Sequence, residues 1–235
     1  MIDGPVGALE CAIDEPLPVA DAALPVADAA LRGAVVLCHP HPVHGGTMDN
    51  KVVQTLARAF LQMGYRVLRF NFRGVGASAG VWDEGRGEID DALAVVAHQR
   101  AAMPDLALAL GGFSFGGYVA AQAADRLAKI TPRPAPQPAL QPAPQPAPQP
   151  APQPFAVERL VLIGPATSRF PMPATVAPDT VVIHGEADDV VPLSATLDWA
   201  RPQVLPVIVL PGVGHFFHGQ LPLLKSQVIQ AWHRR

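Results

Sequence analysis

Leu106-Ala-Leu-Ala-Leu-Gly-Gly-Phe-Ser-Phe-Gly-Gly-Tyr-Val-Ala-Ala-Gln-Ala-Ala-Asp-Arg-Leu127 is the stretch on which the reading of this chain turns. An apolar run, Leu106 to Leu110, is followed by Gly112-Phe-Ser-Phe-Gly116 and then by a run of helical character from Gly117. The order predicts strand, sharp turn and helix with Ser114 at the apex, the G-x-S-x-G pattern of a nucleophile elbow. Holding a side chain at such an apex forces the serine backbone into a strained conformation worth about 1–3 kcal/mol. The chain closes tightly on both sides of it, so positions 112 and 116 favour residues without a Cβ. The helix that opens there aims its free N–H groups at the same point.

Outward from the elbow, apolar runs alternate with helical periodicity. Strands are predicted at Ala8–Ile13, Ala34–Cys38, Tyr65–Phe70, Arg159–Ile163, Thr180–His184 and Val207–Leu210. Helices are predicted at Lys51–Met63, capped by Asp49 or Asn50 and ended by Gly64, at Glu88–Met103 with Ile89, Leu93, Val96 and Ala97 inward, and at Leu223–Trp232. This alternation implies a mostly parallel sheet with helices on both faces, an α/β fold. Reactive groups in such sheets collect at the carboxyl ends of the strands.

The 235 residues suit one domain, 1–235, with 49% hydrophobic residues for its core. Two segments interrupt it. Leu17 to Ala30 is an exact tandem repeat of seven residues with a proline in each copy, read as a duplicated surface loop. Residues 132–154 repeat Gln-Pro-Ala-Pro and are expected to form a disordered, extended insertion. A net charge of −3 points to neither nucleic acid nor an anionic membrane as partner. Cys11 and Cys38 read as reduced, and no leader or membrane-length apolar run is visible, so a cytoplasmic location is expected.

A serine hydroxyl needs a base to become nucleophilic, and the base needs an orienting carboxylate. An elbow predicts the order serine, acid, histidine along the chain. Two strand ends after Ser114 supply the candidates, His184-Gly-Glu-Ala-Asp-Asp-Val-Val-Pro192 and Pro211-Gly-Val-Gly-His-Phe-Phe-His218.

With these pieces the chain resembles an α/β-hydrolase, and within it a small, cap-less, dienelactone-hydrolase-like family of predicted hydrolases. The matching motifs are His39-Pro-His-Pro-Val-His-Gly-Gly-Thr-Met-Asp-Asn-Lys-Val-Val53, Asn71-Phe-Arg-Gly-Val-Gly76, Gly112-Phe-Ser-Phe-Gly116, His184-Gly-Glu-Ala-Asp188 and Gly214-His-Phe-Phe-His-Gly219. The superfamily's G-x-x-D-x-x-V-P pattern selects Asp188 over Asp189. His215 is preferred to His218 because it directly follows the Gly-Val-Gly turn. The resemblance thus implies a serine hydrolase of esters or thioesters with Ser114, Asp188 and His215 as its triad. It needs no metal or organic cofactor.

One oxyanion donor is expected to be the N–H of Phe115, and the other to come from the loop after Cys38. Pro40 and Pro42 lack an N–H, which leaves His39, His41 and Val43, and the resemblance places the donor at His41. The connection between Ile163 and Thr180 is too short for a cap domain, so an open site is expected. Loops such as Phe72–Trp82 and Phe170–Pro173 would then set specificity, with Phe72, Phe216 and Phe217 as expected substrate contacts. Two alternatives accompany this reading. His39, His41 and His44 form an H-x-H-x-x-H run that could hold zinc, although Val43 stands where the related metal motif has an aspartate. A non-catalytic ligand-binding member of the fold is the other.

Overall fold

The computed structural model describes residues 1–17, 31–130 and 157–233, so the tandem repeat beyond Leu17 and the proline-rich insertion lie outside the described residues. The first predicted strand is two. β1 (Ile2–Gly4) and β2 (Gly7–Leu9) form a small antiparallel hairpin, and β3 (Cys11–Asp14) joins the main sheet. Glu10 makes the break. Its N–H donates to Ser78 Oγ at 2.9 Å, its C=O accepts from Asn71 N–H at 2.8 Å, and its carboxylate accepts from Asn71 Nδ2 and Ala77 N–H. The residue is turned toward the 71–79 loop and away from a strand partner.

The remaining elements are β4 (Gly33–Cys38), α1 (Lys51–Gln62), β5 (Tyr65–Phe70), α2 (Arg86–Ala102), β6 (Leu108–Phe113), α3 (Phe115–Ile130), β7 (Arg159–Ile163), β8 (Val181–Gly185), α4 (Leu193–Ala200), β9 (Val207–Leu210) and α5 (Leu221–His233). Seven strands form one sheet in the order β3-β5-β4-β6-β7-β8-β9, with β3 antiparallel to β5 and every other pairing parallel. Strand residues alternate between two cores, as a period of two requires. Val36, Leu110 and Leu162 pack with α2 and α3, whereas Val35, Ala109, Val161 and Ile163 pack with α1 and α5. Helices therefore cover both faces.

β6 starts two residues later than its apolar run and ends three residues later, running through Gly111 and Gly112 to Phe113. Glycine here is a packing requirement. A Cβ on Gly111 would lie 2.5 Å from Val161 Cγ1 and 3.0 Å from Leu37 Cδ2, on the flanking strands. Of the two cap candidates for α1, Asn50 is the one used, its Oδ1 accepting from Val52 N–H at 2.9 Å. Helix α4 is a short element that apolar periodicity does not reveal, since it buries only Thr196 and Ala200.

The inward face of α2 also differs from expectation. Ala97 is exposed and Leu93 half-buried, while Ile89, Ala92, Val95, Val96 and the charged Glu88 and Asp91 are buried. Glu88 accepts from the N–H groups of Asp83 and Gly85 and so satisfies the helix start. Asp91 binds Arg73 through Nη2 at 2.8 Å and Nε at 3.0 Å, and also accepts the Arg73 N–H at 2.9 Å. Removing one partner of a buried pair strands the other charge. Asp91→Ala is therefore expected to lower unfolding stability by about 3–5 kcal/mol, read from urea unfolding. A loss below 1 kcal/mol would show the pair to be dispensable.

Candidate active site

The carboxyl ends of β6, β8 and β9 converge. Ser114 follows β6 directly and holds φ at +55°, the left-handed region that a residue with a Cβ enters only under constraint. Its N–H donates to Ile163 C=O at 2.9 Å, and its own C=O accepts from the N–H groups of Gly117 (3.0 Å) and Ala166 (3.2 Å). A Cβ on Gly112 would overlap the Gly116 backbone, and one on Gly116 would overlap the Cys38 carbonyl at the end of β4. The two glycines of the motif let elbow and donor loop close on each other.

The acid loop and the histidine loop are stitched together. Glu186 N–H donates to Leu210 C=O and Ala187 N–H to Val213 C=O, both at 3.0 Å, and a Cβ on Gly185 would overlap the Val213 carbonyl. This brings His215 Nδ1 to 2.7 Å from Asp188 Oδ2 and His215 Nε2 to 3.0 Å from Ser114 Oγ. A carboxylate only accepts, so Nδ1 carries the proton and Nε2 is left to accept from the serine hydroxyl. All three side chains are buried.

Asp188 is held from several sides. Its Oδ1 accepts from Val190 N–H (2.9 Å) and Val191 N–H (2.8 Å). Buried His184 brings Nε2 within 3.3 Å of Oδ2 and 2.9 Å of Val191 C=O, and its Nδ1 lies 3.2 Å from Thr196 Oγ1. Both Nε2 neighbours are acceptors, so Nε2 bears the proton and Thr196 donates to Nδ1. Burial alone would raise the Asp188 carboxyl. The hydrogen bonds from His184, His215 and the Val191 N–H outweigh it and hold the group well below the usual carboxylate range. Asp189, by contrast, is exposed.

Across the site, residues 39–46 form the donor loop. Val43 N–H donates to His41 Nδ1 at 3.2 Å, whereas no hydrogen bond within the described residues engages the N–H of His41 or of Phe115. The His41 ring sits among Trp82, Phe115 and His44, with centroids 4.6, 5.2 and 4.7 Å away. A cavity of about 480 Å³ opens here, walled by Phe115, Ala166, Phe170, Val190, Val191 and Phe216. Ser114 and His215 line it, and His41, His44, Asn50 and Arg169 are its other polar lining groups.

The family model described as serine aminopeptidase, S33 (Hydrolase_4) matches residues 29–150, about half of the chain. The chain belongs to this family. A solved α/β serine hydrolase without lid from Xanthomonas campestris is 34% identical over 99% of this chain and 92% of its own, with a TM-score of 0.79. An α/β serine hydrolase homologue from Coxiella burnetii is 32% identical over 97% of this chain and 94% of its own, at 0.73. An uncharacterised protein of Rickettsia prowazekii (strain Madrid E) is 45% identical over 98 residues, which span 41% of this chain and 41% of that relative. The fold is that of an α/β-hydrolase, and the family is one of serine hydrolases. The family match includes Ser114 but ends before Asp188 and His215, so their assembly around the serine rests on the geometry above.

Within this S33-family chain, two expected substrate contacts do not reach the cavity. Phe72 is fully buried beneath the site, its ring 4.5 Å from His39 and 5.7 Å from Phe115. Phe217 takes φ +53°, which turns it into the core beside α1 and α5, while its neighbour Phe216 is 46% exposed and lines the cavity. The zinc alternative fails on His39. Its Nε2 accepts from Phe72 N–H at 3.0 Å, which places the proton on Nδ1, donated to Pro40 C=O at 2.6 Å. Burial lowers its pKa to about 4 despite that hydrogen bond. Neither nitrogen is free to join His41 and His44. His218, exposed beside Phe216, is outside the cavity lining. Arg169, Val190 and Val191 are lining residues with no role expected from the sequence, while His44 was expected only as a zinc ligand and Asn50 only as a helix cap. Among the described residues, no helix is long and apolar enough to cross a membrane.

Proposed function

We propose that this chain hydrolyses carboxylic esters or thioesters through an acyl-enzyme on Ser114. The observation that carries the reading is the unbroken hydrogen-bond chain from Asp188 Oδ2 through His215 to Ser114 Oγ. Ser114 Oγ attacks the carbonyl carbon as its proton passes to His215 Nε2. Asp188, kept ionised, stabilises the imidazolium through the Nδ1 proton. The oxyanion is received by the N–H groups of Phe115 and His41. As the tetrahedral intermediate collapses, the Nε2 proton goes to the leaving alcohol or thiol. Water, deprotonated by the same nitrogen, then releases the acid.

Aminopeptidase chemistry, which the family's description names, is less well supported. An aminopeptidase must hold a protonated α-amine, and among the described residues no Asp or Glu lines the cavity. A p-nitrophenyl ester series from acetyl to dodecanoyl tests the ester reading. Turnover above the spontaneous rate is expected for the shorter acyl chains, which the 480 Å³ cavity holds. No turnover anywhere in the series would contradict it.

A further inference from the structure

Arg169, an exposed residue, lines the cavity without a partner of opposite charge among the described residues. Six other described arginines, Arg66, Arg69, Arg73, Arg86, Arg126 and Arg201, each pair with an Asp or Glu within 3.2 Å. No ion pair or hydrogen bond engages the Arg169 guanidinium among the described residues, and no carboxylate lines the cavity beside it. The His41 imidazole is held below its ordinary pKa by burial, by His44 and by Arg169.

The placement of Arg169 is tied to the nucleophile. Ala166 N–H donates to Ser114 C=O at 3.2 Å, and Ala166 C=O accepts from the N–H groups of Arg169 and Phe170, both at 3.1 Å. The turn that carries the guanidinium thus hangs from the backbone of Ser114 itself. The same cavity is lined by the hydrocarbon of Phe115, Phe170, Val190, Val191 and Phe216. A cavity lined by Ser114, by apolar side chains and by an unpaired, solvent-exposed guanidinium fits a molecule that combines an acyl carbonyl, hydrocarbon and an anionic group.

We infer that the substrate is an ester or thioester carrying a carboxylate a few bonds from the scissile carbonyl, with Arg169 as the group that binds it. The inference rests on the ester-hydrolase reading and names its substrate class. An apolar pocket without such a group disfavours an anion, because the carboxylate loses its hydration without compensation. A guanidinium returns that loss through charge-assisted, bidentate hydrogen bonds.

The test compares two six-carbon acyl esters with one leaving group, p-nitrophenyl hexanoate and mono-p-nitrophenyl adipate, after subtraction of spontaneous hydrolysis. A second pair, methyl 4-hexanoyloxybenzoate and 4-hexanoyloxybenzoate, places the carboxylate on the alcohol side. In the wild type, kcat/KM is expected to favour the anionic member of at least one pair by about fivefold or more, the scale of one partly exposed ion pair. That ratio should fall as salt is added. Arg169→Gln should bring it to one or below, and Arg169→Glu should reverse it.

Ratios at or below one in both wild-type pairs would overturn the inference while leaving ester hydrolysis intact. So would a preference that survives both substitutions. Failure of the wild type to turn over even the neutral esters would instead remove the ester reading on which the inference stands.

Discussion

Ser114→Ala is expected to lower kcat for p-nitrophenyl esters by about 10⁴–10⁶ while the protein stays folded. In the proposed mechanism this hydroxyl forms the acyl-enzyme, and its hydrogen-bond partner among the described residues is His215 Nε2. Losing it leaves the imidazole beside a methyl group, which is a small structural cost. The elbow itself is held by backbone contacts that alanine keeps, from Ser114 N–H to Ile163 C=O and from Ala166 N–H to Ser114 C=O. Residual turnover would come from the N–H groups of Phe115 and His41 and from binding alone. Steady-state kinetics, with circular dichroism as the check on folding, reads the effect. A loss of less than tenfold would mean that another group attacks the carbonyl.

Asp188→Asn is expected to reduce kcat by about 10⁴, or near 5 kcal/mol of transition-state stabilisation. The amide oxygen can still accept from Val190 N–H and Val191 N–H, which keeps the loop in place. Its NH₂ then faces His215 Nδ1 and forces the proton onto Nε2, the wrong tautomer for taking a proton from Ser114. The same NH₂ opposes the proton on His184 Nε2, 3.3 Å from the atom it replaces. The defect should appear in kcat far more than in KM, because Asp188 does not line the cavity. Asp189→Asn, at the exposed neighbouring position, is the control and should leave kcat within about twofold, as surface substitutions remote from the chemistry do. If Asp189→Asn lost the activity and Asp188→Asn kept it, the acid would be misassigned.

The sheet and the meeting of Ser114, Asp188 and His215 are legible in the sequence for a common reason. Apolar runs that fill both faces of a parallel strand mark themselves, and an elbow dictates the order in which acid and base must follow. The glycines at 112 and 116 carry that information because backbone from Gly116 and Cys38 occupies the space a side chain would need. What stayed hidden depends on turns and on buried charge. Phe216 and Phe217 are identical in sequence terms, and a φ of +53° at the second sends one ring outward and the other into the core. Nothing in a phenylalanine announces a left-handed backbone. The inward face of α2 was misread because apolar periodicity does not register Asp91, which is inside only because Arg73 meets it there. Arg169, Val190 and Val191 arrive from loops that have no period to read. His184 stood in the quoted motif as a strand residue, and its contact with Asp188 appears only once the loop through Val191 folds back over it.

The proposed mechanism stands on Ser114 as a nucleophile activated by His215. Incubation with a fluorophosphonate, followed by mass spectrometry of the proteolysed chain, tests it directly. Close to one adduct per chain is expected, on the peptide carrying Ser114, with no adduct in Ser114→Ala and slow labelling in Asp188→Asn. An adduct on a different residue, or esterase activity that persists in protein carrying no adduct, would contradict it.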